Sequence, residues 1–260
     1  MRFFIFLLCF TLFLVNPSFV KAQEPLQIGT ETEDIFLTDD LNIAKAQALK
    51  YPDNPEAHFN LAIALSHTSL VEETIKELRK TKLLIRKPEN AGIIDKKINE
   101  YKEMLDNQGN ETHASTIRYR LAFSHYLKAY LISKEIQKAN IQQKSKSKSK
   151  SLDLLSSNSF LLKDANPEIK RNLEYSVSYF KEQLKASPND IWTKVYYGFI
   201  LAEQYNDFQN AKKLWTEATK QNPNNPAPHF FLGELKIKEG DLKEGILEIS
   251  QALLLRSLGN

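Results

Sequence analysis

The frame Asn-Pro-x-x-His-Phe-x-Leu occurs twice in this chain, at residues 54–61 and at residues 225–232. A recurring frame constrains the fold more than composition does, because a sequence that repeats builds one structural unit several times. After the second copy, apolar residues follow at helical spacing from His229 to Ile237, and Gly240-Asp241 then interrupts the pattern before the same period resumes. The pattern predicts two antiparallel helices joined by a tight turn.

Two other segments follow the same plan. Residues 192–225 begin 34 residues before Pro226 and have a predicted turn at Asn206-Asp207, and residues 55–87 form the earliest copy. The clearest repeats are therefore 55–87, 192–225 and 226–259. Because the chain of 260 residues has only eight Gly and is rich in helix-forming side chains, we predict an all-α fold.

A fourth repeat is predicted to be interrupted. Apolar and small residues at helical spacing indicate its second helix: Leu173, Ser176, Phe180 and Leu184. Residues 141–165 contain a low-complexity Lys/Ser tract and a Ser/Asn-rich stretch, so the first helix cannot lie immediately upstream. The segment 115–140 has the required spacing. We therefore expect 115–140 to pair with the later helix across an insertion at 141–165.

The sequence divides the rest of the chain as follows. Residues 1–22 are a predicted signal peptide, 23–38 an N-terminal extension, 39–140 an N-terminal helical repeat region, and 166–260 the C-terminal repeats. A short helix is expected over residues 40–50. Another is expected from about Ile93 to Leu105, and its pairing is left open by the sequence.

The N-terminus has the layout of a secretory signal. Arg2 precedes an apolar run from Phe3 to Val15, and Val20-Lys21-Ala22 offers a cleavage site. The run is shorter than the roughly 18–20 residues that a membrane-spanning helix needs. We expect a secreted or periplasmic protein, with an uncleaved anchor as the alternative. Cleavage would remove Cys9, the only cysteine, and would leave no thiol for a disulfide or a metal site.

The charge pattern bears on the class of partner. The formal net charge is +3, and removal of Arg2 and Lys21 would reduce it to +1. Four lysines lie within residues 144–150, and no basic cluster marks a predicted helix face, so no nucleic-acid partner is expected. The only membrane contact expected is a weak attraction of residues 144–151 to anionic surfaces. The alternative is that this tract is a solvated linker.

No sequence motif for catalysis, a metal or a cofactor is present. The chain has no Gly-x-Ser-x-Gly element and no Gly-rich phosphate loop, and its histidines lack metal-ligand spacing on one helix. We therefore predict no catalytic residues, no metal site and no cofactor. The carboxylate pair Glu72-Glu73 is interpreted as a solvated helix face. The alternative is an enzyme that acts on envelope or cell-wall polymers through such surface carboxylates.

Several positions of the repeats resemble the tetratricopeptide repeat (TPR) family, whose unit is a helix-turn-helix of 34 residues. In the last repeat, these are Leu232-Gly233, Gly240-Asp241 and Ala252, and in the preceding one Ala211, Trp215, Ala218 and Pro223. The first repeat has Leu61-Ala62 in place of Leu-Gly, and Thr74 and Thr81 in place of two alanines. The resemblance implies antiparallel hairpins stacked into an α-solenoid. It also implies a packing role for His58 and His229, which share one repeat position.

The resemblance further implies a concave groove lined by the first helix of each repeat. The residues carried over to this groove are Phe59, Ile63, Tyr196, Ile200, Glu203, Phe230, Glu234 and Ile237. They predict a scaffold or assembly factor of the cell envelope that binds a protein or peptide segment with apolar side chains. The alternative is that Phe59, Tyr196 and Phe230 only pack against neighbouring repeats.

Overall fold

The computed structural model describes residues 41–107, 111–146 and 166–258, and helices account for nearly all of them. The ten α-helices of these ranges are α1 (Leu41–Lys50), α2 (Pro55–Ser66), α3 (Val71–Leu84), α4 (Ile93–Asp106), α5 (Glu111–Lys146), α6 (Pro167–Ala186), α7 (Ile191–Ile200), α8 (Phe208–Gln221), α9 (Pro226–Glu239) and α10 (Leu242–Leu258). The predicted signal peptide, the extension 23–38 and residues 147–165 of the predicted insertion lie outside the described residues.

Three of the described helices begin at Asn-Pro pairs. Asn54 accepts hydrogen bonds from the backbone N–H groups of the first turn of α2, at 2.8 and 3.3 Å, and Pro55 occupies the first helical position. Asn225 caps α9 in the same way, and Asn166 caps α6. An Asn side chain at this position satisfies N–H groups that have no partner within the helix, and proline loses nothing there.

Neighbouring helices pack in pairs, as the repeat pattern predicts. The two helices of each of the hairpins α2–α3, α7–α8 and α9–α10 are joined by a short turn. Helices α5 and α6 also pack together, although residues 147–165 separate them in the sequence. Helix α1 packs on α2, and α4 packs on α5. The predicted fold class, all-α with antiparallel helix-turn-helix repeats stacked into a solenoid, is confirmed. Helix α5 runs to Lys146, six residues into the segment 141–165, since Gln and Lys continue a helix well.

Small residues allow the paired helices to cross closely. A β-carbon on Gly233 would lie 2.9 Å from the carbonyl oxygen of Gly245, and a β-carbon on Gly245 would lie 2.9 Å from the carbonyl oxygen of Gly233. Ala211, Ala218 and Ala252 are also buried. Gly240 ends α9 at a φ of 93°, which a side chain would strain.

The α7–α8 hairpin contains one residue more than the α9–α10 hairpin. The capping residues Asp190 and Asp207 are 17 positions apart, whereas Asn225 and Asp241 are 16 apart. The extra residue is absorbed by a π-helical turn at Leu201–Tyr205, the usual result of a one-residue insertion into a helix. Helix α7 therefore aligns with α9 at an offset of 35 residues, although α8 aligns with α10 at 34.

The first and last hairpins meet. The Arg256 guanidinium of α10 bonds to both carboxylates of the Glu72-Glu73 pair on α3, with N–O distances of 3.0 and 2.5 Å. The pair lies on a largely solvated helix face, as the sequence suggested, and it also binds a cation nearly at the other end of the chain. No helix among the described residues combines the length and the apolar character needed to cross a membrane.

Candidate functional site: the inner face

Four of the predicted groove residues belong to the core. Phe59 is 4% exposed, Ile63 and Tyr196 are 1% exposed, and Ile200 is fully buried. Phe59 lies in a small apolar recess whose walls include Ile93 and Ile94 of α4. Helix α4 therefore covers the start of α2, which was predicted to face a partner. In this conformation the four side chains are unavailable to a partner.

The one-residue shift in α7 explains the burial of Tyr196 and Ile200. With the caps aligned, Tyr196 corresponds to Phe231 rather than to Phe230, and both rings are buried with their centroids 6.4 Å apart. Ile200 likewise corresponds to the buried Leu235. A uniform period of 34 residues cannot detect a π-helical turn, so the sequence placed both residues one position out of register.

The remaining predicted groove residues divide into two groups. Ile237 packs inside the α9–α10 hairpin: its Cγ1 is so close to Gly245 that a β-carbon added there would lie only 2.5 Å from it. The side chain therefore points into the hairpin and not into the predicted groove. Glu203 and Glu234 are exposed, and Phe230 is half-buried. These three residues remain candidates for contact with a partner.

Glu203 belongs to a group of side chains that we call the inner cluster: Lys82 of α3, Tyr126 and Tyr130 of α5, and Glu203 in the π-helical turn that continues α7. The Lys82 ammonium donates a hydrogen bond to the Tyr126 hydroxyl, which donates to Oε2 of Glu203 at 2.5 Å. Lys82 Nζ also lies 4.4 Å from the ring centroid of Tyr126 and 4.6 Å from that of Tyr130. The cluster holds a cation between two aromatic rings and one carboxylate.

The electrostatics of the inner cluster reflect its enclosure. Burial lowers the pKa of Lys82, Glu203 opposes this change, and Arg79 and Lys134 add to it. Burial also raises the pKa of the Tyr126 hydroxyl well above its ordinary value, and the Glu203 carboxylate adds to that rise. At neutral pH, Tyr126 therefore stays protonated and can bridge Lys82 to Glu203.

Glu234 of α9 faces the same surface. Burial raises the pKa of its carboxyl group to about 7, and Arg79 of α3 opposes the rise. The side chain is nevertheless exposed to water, a combination expected in a concavity, where protein surrounds a group that solvent still reaches. Hydrogen bonds join Lys82 of α3, Tyr126 of α5 and Glu203, and Arg79 of α3 lies near Glu234 of α9, so we call the surface formed by these side chains the inner face. Among the described residues, Glu234 has no hydrogen-bond partner.

Sequence reasoning missed the cationic and aromatic part of this face. Tyr126 and Tyr130 are one helical turn apart, but a pair of tyrosines on a helix is ordinary. Lys82 precedes Tyr126 by 44 residues and Glu203 follows it by 77. Only the tertiary fold brings these three residues together.

The histidines of the repeated frame hold their own repeats together. His58 Nδ1 lies 2.7 Å from Oε2 of Glu77, and its Nε2 lies 2.9 Å from the Pro52 carbonyl oxygen. His229 repeats the arrangement with Glu248 at 2.7 Å and the Pro223 carbonyl at 3.0 Å. Each acid follows its histidine by 19 residues, a spacing that is visible in the sequence. In the described ranges, no group of three His, Cys, Asp or Glu side chains could hold a metal ion.

His125 is a buried histidine between α5 and α6. Its Nδ1 donates a hydrogen bond to Oδ1 of Asn172 at 2.9 Å. The orientation of the Asn172 amide is fixed because its Nδ2 donates to the Glu168 carbonyl. Nε2 is buried without a partner. Burial lowers the pKa of His125 to about 4, and the bond to Asn172 opposes this shift. The folded protein therefore holds the neutral imidazole.

A pH dependence of stability follows from His125. Because its pKa is about 4 in the folded state and about 6.5 when unfolded, its contribution is complete above pH 6.5 and is lost as the pH falls toward 4. The loss approaches 1.4 kcal/mol per pH unit, or about 3 kcal/mol in all. The variant His125→Gln keeps a donor for Asn172 but does not titrate. Urea unfolding at pH 7, 5.5 and 4 should show a smaller loss for the variant than for the wild type, whereas parallel losses would contradict this role of His125.

Comparisons with known proteins give little guidance. No protein-family model and no curated protein matches the sequence. Among solved structures, the crystal structure of MamA is similar over 84% of this chain and 88% of its own, with 10% sequence identity and a TM-score of 0.36. Similarity at this level carries no inference about family or function, so the functional proposal depends on the inner face.

Proposed function

We propose that the chain is a TPR-type binding scaffold of the cell envelope, secreted or periplasmic, that takes a protein segment on its inner face. The supporting observation is the convergence of α3, α5, α7 and α9 on one surface that carries a half-buried aromatic ring, two exposed acids and an enclosed cation. Side chains from separate repeats provide all of these groups. Surfaces built in this way suit an extended or helical segment, which contacts several repeats at once.

The residues of the inner face define the partner's chemistry. Phe230 offers an apolar ring that is only partly covered, and aromatic anchors of this kind often supply much of the binding energy. Glu234, one turn along α9, is a carboxylate in a concavity without a hydrogen-bond partner in the described part of the chain. A lysine or arginine of the partner would supply that hydrogen bond and compensate for the desolvation. The expected ligand is a protein segment with an apolar side chain beside a basic one.

Capture from the envelope fraction of the source cells tests this assignment. Immobilised Phe230→Ala and Glu234→Gln chains should retain a specific partner at least tenfold less than the wild type, since each loses one anchor. Lys213→Ala, an exposed substitution on α8, is the matched control and should retain it fully. Equal retention by folded Phe230→Ala and Glu234→Gln chains would contradict the inner face. Recovery of the protein from the cytosol alone would contradict the envelope location.

A further inference from the structure

The outer face of α10 carries an apolar stripe that no helix of the described chain covers. Its five large side chains are substantially exposed: Leu242 58%, Ile246 59%, Leu247 54%, Leu253 36% and Leu254 59%. At 100° per residue they lie within an arc of about 140°. The residues that pack on α9, among them Gly245 and Ala252, lie on the opposite side of the helix. Contiguous apolar surface of this kind usually marks an interaction site.

The full stripe is found on α10 but not on α8, and α3 has only part of it, with Ile75 and Leu83 at the positions of Ile246 and Leu254. Helix α8 aligns with α10 at an offset of 34 residues, and it has Lys212, Lys213 and Lys220 where α10 has Ile246, Leu247 and Leu254. Lys212 forms an ion pair with Glu239 of the next repeat at 2.9 Å. Helix α8 therefore has lysine at all three of these positions, whereas α10 has an apolar residue at each of them.

The order of residues along the stripe is symmetric about Ser250. Ile246 and Leu254 lie four positions on either side of Ser250, and Leu247 and Leu253 lie three positions on either side. Two copies of α10 that cross antiparallel at Ser250 would therefore place Ile246 against Leu254, and Leu247 against Leu253, of the other copy. This self-complementarity is what a twofold-symmetric contact requires.

The chemistry of the helix favours a protein over a lipid surface as the occupant. Helices that lie on membranes carry an excess of Lys and Arg on their polar face. In α10 the basic Lys243 and Arg256 are balanced by Glu244 and Glu248, and Arg256 is bound to α3. The five side chains offer roughly 500 Å² per copy, so a symmetric pair would bury about 1,000 Å², the size at which specific interfaces begin.

We infer that the chain forms a twofold-symmetric homodimer through antiparallel packing of α10 on α10 of a second copy, centred on Ser250. The interface lies on the last hairpin and uses none of the inner-face residues. The dimer would therefore leave two inner faces available. Its test does not depend on the proposed function.

Sedimentation velocity of the purified chain over a concentration series tests the dimer. The wild type should sediment at twice the monomer mass, and Ile246→Glu/Leu254→Glu at the monomer mass, because two carboxylates per copy would be buried at the interface. Lys213→Glu/Lys220→Glu, at the positions of α8 equivalent to Leu247 and Leu254, is the control and should remain dimeric. A monomeric wild type, or a dimeric Ile246→Glu/Leu254→Glu variant, would overturn the inference. Binding of a monomeric wild type to phosphatidylglycerol vesicles would overturn it in favour of a lipid surface.

Thiol cross-linking provides a measurement that leaves the apolar stripe intact. In a Cys9→Ser background, Ser250→Cys should be joined to its own copy by a short bis-maleimide, because both residues lie on the symmetry axis. Ser257→Cys is exposed on the same face, but seven residues from the axis it would lie about 21 Å from its counterpart. It should not cross-link. No cross-link at either position, or equal cross-linking at both, would overturn the antiparallel arrangement.

Discussion

Replacing Trp215 with alanine is expected to lower the free energy of unfolding by about 3–5 kcal/mol, the usual cost of deleting a buried aromatic side chain. Trp215 is 2% exposed and connects three helices. From α8, its indole N–H donates to the Val195 carbonyl of α7 at 2.9 Å, and its ring stacks on Phe231 of α9 at 5.3 Å between centroids. The substitution would leave a cavity in the core and remove the hydrogen bond that joins α8 to α7.

Trp192→Ala is the matched control for this substitution. Trp192 is the other tryptophan of the chain and is only partly buried at the edge of the same core. It should cost clearly less, because less apolar surface returns to water. Urea denaturation followed by circular dichroism would measure both variants. Equal losses for the two variants would contradict the assignment of Trp215 as the residue that joins the last two repeats.

Replacing Tyr126 with phenylalanine should lower the unfolding free energy by about 1.5–3 kcal/mol, the range for hydrogen bonds to charged groups. The substitution keeps the ring beside Lys82 but removes the hydroxyl that accepts from the ammonium and donates to Glu203. The half-buried ammonium would then lose a partner, which is more costly than the loss of a solvated hydrogen bond.

Tyr196→Phe is the matched control for Tyr126→Phe. The Tyr196 hydroxyl is also buried, but it has no partner at hydrogen-bond distance, and the nearby Thr74 hydroxyl donates to the Leu70 carbonyl instead. Removal of this hydroxyl should therefore be nearly neutral or slightly stabilising. Thermal and urea unfolding of the two variants would show the difference. A neutral Tyr126→Phe would mean that the inner cluster does not stabilise the fold.

The sequence predicted local elements well because their causes are local. Asn225-Pro226 begins α9, Gly240-Asp241 ends it, and the apolar period on either side indicates which faces meet. Even the interrupted pairing of α5 with α6 could be predicted from two helix patterns of matching type. These features depend on capping, turn geometry and periodicity within one repeat.

The candidate site could not be predicted in the same way. A single added residue in α7 shifted the groove positions by one, and only the backbone shows that a π-helical turn absorbs it. The contact of Arg256 with Glu72 and Glu73 joins residues more than 180 positions apart, and the inner cluster also depends on distant segments. Of the eight predicted groove residues, Glu203, Phe230 and Glu234 therefore remain candidates for partner contact.

Site-specific photo-cross-linking tests the inner face most directly. The chain would carry a benzophenone amino acid in place of Phe230, or in place of the exposed Lys213 as the control, and would be irradiated in the cells that produce it. We expect a covalent adduct with a partner protein from position 230, no adduct from position 213, and loss of the first adduct when Glu234→Lys is added. Absence of an adduct at position 230, or the same adduct from both positions, would contradict binding at the inner face.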